Sequence, residues 1–70
     1  MNDKILITVN GDSRSFQRGA TVAQLLTLLD TAGKRVAVER NGNIVPKSLH
    51  ASTALANGDH LEIVIAVGGG

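Results

Sequence analysis

The residues of this 70-residue chain best placed to meet chemistry are those with no side chain. The sequence closes on Val67-Gly68-Gly69-Gly70. Three glycines in a row cannot pack a core or hold a strand, and they carry the largest conformational entropy. A run without Cβ atoms can instead thread a narrow active site in which any side chain would clash. Its end is expected to present a free carboxylate. Extended from Val67, the four residues reach roughly 13 Å. Ordering them in a partner's site costs on the order of 1–2 kcal/mol each. Affinity for that partner must therefore come from the folded body.

The rest of the chain is poor in reactive groups. It has no cysteine, so it offers no thiolate ligand, disulfide or thiol nucleophile. His50 and His60 stand apart from any cluster of ligands, read as surface or turn residues, and receive no role. No metal site is expected. Asp59, beside Gly58, reads as a turn former rather than an acid catalyst. Seven Lys/Arg oppose six Asp/Glu, for a net charge of +1. Arg14, Arg18, Lys34, Arg35 and Arg40 are interleaved with acids and read as a solvated face. With one Phe and no Tyr or Trp, there is no stacking platform for nucleic acid. No run approaches the ~20 apolar residues of a membrane span. The first residues lack the pattern of a signal peptide. A cytoplasmic, single-domain protein follows, with residues 1–66 as the domain and 67–70 as a flexible tail.

The elements that must present this tail can be read in order. Lys4 to Val9 alternates β-branched residues and predicts a strand. Asn10-Gly11-Asp12 turns it, and Arg14 to Gln17 returns as a second strand, with Phe16 as core filler. Thr21-Val22-Ala23-Gln24 fits a capping box. The helix it opens is expected to run to about Thr31. Val22, Leu25, Leu26 and Leu29 form its apolar stripe, with Leu28 at the edge. Gly33 is placed as the stop, and Lys34 and Arg35 suit the negative helix end. Val36 to Arg40 is a third strand. Asn41-Gly42-Asn43 turns into a short fourth strand at Ile44-Val45, which Pro46 confines to an edge. Lys47 to Leu55 reads as a surface crossover with one helical turn, and His60 to Ala66 as the last strand.

The order β-β-α-β-β-β places one helix across one face of a mixed four- to five-stranded sheet, an α+β fold. The first and last strands carry the densest apolar runs and should form a parallel central pair. If Leu61, Ile63 and Ile65 face the helix, Leu6 and Val64 lie on the uncovered face, with Ala37 and Glu62 beside them. These four residues are the candidate partner-docking face.

The element order and the Gly-Gly end resemble the ubiquitin-like β-grasp family, and more closely the ThiS-type sulfur carriers of thiamine thiazole synthesis. The likeness is carried by Val9-Asn10-Gly11, Thr21-Val22-Ala23-Gln24-Leu25-Leu26, Asn41-Gly42-Asn43-Ile44-Val45-Pro46, and Asn57-Gly58-Asp59-His60-Leu61-Glu62-Ile63 leading to the tail. The resemblance implies a protein co-substrate rather than an enzyme. Gly70 would supply a carboxylate that a ThiF-type adenylating enzyme activates with ATP and Mg²⁺. Sulfur from a cysteine desulfurase would convert it to a thiocarboxylate, which donates sulfur to thiazole synthase. Gly69 matches the second glycine of the family's tail, and Gly68 is an additional small residue there. The chain itself would bind no cofactor. Three alternatives stay open: a molybdopterin-type carrier, a ubiquitin-like modifier joined to lysines, and a β-grasp binding module with inert glycines.

Overall fold

The computed structural model describes residues 3–31 and 34–66. The tail at 67–70 and the stop assigned to Gly33 lie outside the described residues. Strand β1 (Lys4–Val9) is followed by β2 (Asp12–Gln17), helix α1 (Val22–Leu28), β3 (Val36–Arg40), β4 (Asn43–Ile44), a 3-10 turn at Lys47–Leu49, and β5 (His60–Ile65). They build one five-stranded sheet in the order β2-β1-β5-β3-β4. The centre is the parallel β1–β5 pair, and the other pairings are antiparallel. This is the mixed sheet the sequence predicts, with the short β4 at an edge.

Alternation decides which face is covered. Ile5, Ile7 and Val9 of β1 are buried with Val38 of β3 and Leu61 and Ile63 of β5. Val22, Leu25 and Leu26 of α1 pack against them. Removing that apolar area from water is the main stabilising contribution, at roughly 25 cal/mol per Å².

Two Asn-Gly turns close the hairpins. Asn10 and Gly11 have φ of 51° and 87°, and Asn41 and Gly42 have 53° and 86°. Positive φ at both central positions matches the right-handed twist of the flanking strands.

The capping box forms as read. The Thr21 hydroxyl accepts from the Gln24 amide at 3.2 Å, and the Gln24 side chain accepts from the Thr21 amide at 2.9 Å. The other end of α1 differs from expectation. The helix stops at Leu28 rather than near Thr31. Asp30 adopts φ 59°, its amide donates to the Thr27 carbonyl, and the Thr31 amide donates to that of Leu26. These two bonds satisfy the Thr27 and Leu26 carbonyls near the helix end without a glycine. The Thr31 hydroxyl adds a second bond to the Leu26 carbonyl at 2.8 Å. Lys34 and Arg35 therefore lie beyond the last helical turn, which holds no basic residue.

Three further expectations change. Ile65 shares the parity of Leu61 and Ile63, yet it is 42% exposed. Its partner Val36 is half-buried, so this pair lies at the rim of the area the seven-residue helix covers. The crossover is not merely a surface loop, because Leu55 and His50 are both buried. His50 is thus not a surface residue; its Nε2 meets the Val45 carbonyl at 3.1 Å, and it serves to tie the crossover to the end of β4.

Candidate functional site

The site begins where β5 leaves the sheet. Strand β5 is central, so its last described residues are held in a fixed direction toward the tail. On one side β3 pairs with it from Val36↔Ile65 to Arg40↔Leu61, and the Ala66 amide donates to the Arg35 carbonyl at 2.9 Å. On the other side β1 ends at Val9, paired with Leu61. The Asn10 side chain then continues the ladder. Its Oδ1 accepts from the Ile63 amide at 2.8 Å, and its Nδ2 donates to the Ile63 carbonyl at 3.2 Å. A turn residue thus stands in for a strand residue. Sequence reading assigned Asn10 only to the turn, since its second role depends on a strand more than fifty positions away.

The start of β5 is fixed by a polar cluster. Asp59 is buried and accepts from Arg40 Nε at 2.8 Å, Asn41 Nδ2 at 3.0 Å and the Ala56 amide at 2.8 Å. Burial pushes its carboxyl up. The Arg40 hydrogen bond, the Ala56 amide, the Asn41 amide and the Arg40 charge outweigh that and hold it below its ordinary value. All these contacts are internal to the fold, in keeping with the turn-forming reading. His60 is exposed, with Nδ1 2.7 Å from the Thr8 hydroxyl. Among the described residues no group of three His, Cys, Asp or Glu could hold a metal ion. No helix among them is long and apolar enough to cross a membrane.

The four residues of the candidate docking face are all exposed, but they do not form one patch. Ala37 and Val64 are direct cross-strand partners, and Val64 is 62% exposed. Glu62 lies one row away, opposite Glu39. Leu6 sits at the other end of the sheet. Its carbonyl accepts from the Gly58 amide, and its amide donates to Asn57 Oδ1 at 2.8 Å. Two steps along β1 from Leu6 to Thr8, then four along β5 from its partner His60 to Val64, span about 20 Å at ~3.3 Å per residue. Sequence parity also omitted two neighbours. Glu39 shares the parity of Ala37, and Ile44, 65% exposed, is paired with Glu39. The uncovered face therefore shows Val64 and Ala37 next to a Glu39–Glu62 pair bordered by Ile44. Like charges directly opposite in a sheet are unfavourable, and a cationic partner surface would relieve them.

A helix gripped by a five-stranded mixed sheet with a parallel central pair defines a β-grasp, ubiquitin-like domain. The model of the ThiS family matches residues 7–70, and this chain belongs to that family, the sulfur-carrier family its sequence resembles. Its fold matches the crystal structure of the thiamine biosynthesis protein ThiS from Geobacter metallireducens, with a TM-score of 0.78 and 30% identity, covering 94% of this chain and all of that one. A thiazole synthase from Paramagnetospirillum magneticum is 48% identical over 64 residues, which is 91% of this chain and 20% of the synthase. The ycf40 protein of Pyropia yezoensis is 37% identical over 70 residues, nearly the full length of both. The chain spans about a fifth of the thiazole synthases it matches.

Proposed function

We propose that this chain is the sulfur carrier of thiamine thiazole biosynthesis, a protein co-substrate on which other enzymes act. The observation that carries the reading is the extent of the family match, which continues from the folded body through Gly70. The Gly70 carboxylate attacks ATP, bound with Mg²⁺ on a ThiF-type adenylating enzyme. This forms an acyl-adenylate and releases pyrophosphate. A persulfide formed by a cysteine desulfurase displaces AMP, and a thiol reduces the resulting acyl disulfide to the thiocarboxylate. Thiazole synthase then takes the sulfur. Gly68 and Gly69 thread the partner sites, and the likeness to part of thiazole synthases supports that last transfer.

The Ala37–Val64 patch with Glu39 and Glu62 is the proposed docking face. Leu6 would belong only to a footprint that runs the length of the sheet. The test is intact-mass analysis after incubation with adenylating enzyme, ATP, desulfurase, cysteine and a thiol. Replacement of O by S adds about 16 Da at the terminal carboxyl. A chain lacking Gly69-Gly70 should gain nothing. Branched conjugates to lysine would instead identify a protein modifier, and unchanged mass with every component active would identify a binding module.

A further inference from the structure

We propose a second site, on the helix-covered side of the sheet, that binds a phosphate monoester carrying a compact apolar body. A cavity of about 630 Å³ opens between α1, the start of β3 and the 3-10 turn. That volume lies within the roughly 300–1,000 Å³ of small-molecule sites. Lys34, Arg35 and Lys47 line it together with Ala23, Leu26 and Val36. No acidic side chain contributes to the lining. Among the described residues none of the three cations meets a carboxylate, whereas Arg40 is held by Asp59.

Three positive charges around one cavity whose lining holds no acidic side chain raise the local concentration of anions. The cavity's neutral donors are already committed. The Thr27 hydroxyl donates to the Ala23 carbonyl, the Thr31 hydroxyl to that of Leu26, and His50 Nε2 meets the Val45 carbonyl. Recognition must therefore come from the ammonium and guanidinium groups, with the apolar lining taking a carbon body. The glutamates Glu39 and Glu62 lie on the opposite, uncovered face, so an anion approaching the cavity is not repelled by them. A phosphate fits this division better than a carboxylate, because its oxygens can meet two or three cations at once. The proposal does not depend on what the tail carries.

The probes are phenyl phosphate, inorganic phosphate and phenol, titrated into the intact chain at low salt. Amide resonances are followed by NMR against sodium chloride titrated to equal ionic strength. Phenyl phosphate should give saturable shifts at Ala23, Thr27, Thr31, Arg35, Val36, Lys47 and His50. It should bind more tightly than inorganic phosphate, and phenol should produce no saturable shift. Lys34→Gln with Lys47→Gln should weaken phenyl phosphate about 5-fold or more, on the scale of two partly exposed charge contacts. Arg35→Gln with Lys47→Gln should do the same if the first pair is poorly folded. Arg14→Gln, on β2 and outside the cavity, should leave binding unchanged. Shifts that merely track ionic strength, equal binding of phenol, or full affinity in the double variants would each overturn the site.

Discussion

Asp59 shows how one side chain sets the geometry of the strand that leads to the tail. Its carboxylate joins Arg40 and Asn41 of the β3–β4 turn region to the Ala56 amide just before β5. Because the folded carboxyl is depressed, its contribution to stability is complete above the ordinary value of 3.8 and is lost as pH falls through the lower folded value. Asp59→Asn should cost about 1–3 kcal/mol at neutral pH, since it weakens bonds to a charged, buried acceptor. The difference from the parent chain should shrink in strong acid. Urea unfolding midpoints measured from pH 7 down to pH 2.5 check both statements. A difference that grows with acidity would contradict the role given to the Arg40 pair.

Among the elements, α1 is the one least able to stand alone. Seven residues are too few for a stable isolated helix. Its structure rests on burial of Val22, Leu25 and Leu26 and on two well-made ends. Thr21→Ala removes the acceptor for the Gln24 amide and should destabilise the protein by about 1 kcal/mol. Thermal unfolding would show this as a lowered midpoint, with uptake of sulfur at the tail unaffected. A simultaneous loss of sulfur uptake in the folded variant would mean that α1 also contacts the partner. Strand β5 draws its order from two turn asparagines as well as from its neighbours. Asn10 pairs with Ile63, and Asn41 Oδ1 accepts from the His60 amide at 2.9 Å.

At the scale of the whole molecule, the two sides of the sheet present different surfaces. The covered side holds the core and the cationic cavity. The other side presents Val64, Ala37 and two glutamates near the point where the tail begins. Val64→Asp should weaken binding to the adenylating enzyme at least about 10-fold, because it puts a charge into an apolar contact. The unfolding midpoint should stay near that of the parent, as Val64 is already exposed. Calorimetric titration against the purified enzyme decides it, and unchanged affinity would remove Val64 from the docking surface.

What is local in this protein was determined by the sequence alone. Strand alternation, two Asn-Gly turns, the Thr21–Gln24 box and the glycine run are signals between residues a few positions apart, and the described elements follow them closely. The end of α1 escaped because Asp30 took the left-handed position usually held by glycine. Other features belonged only to the tertiary structure, since they join residues distant in the chain. Parallel register, which no single strand encodes, placed Leu6 about 20 Å from Val64. The short helix left Ile65 uncovered, the crossover buried His50, and folding drew Lys34 and Arg35 toward Lys47. Such juxtapositions arise when loops close and the core excludes water, and periodicity within one segment carries no record of them.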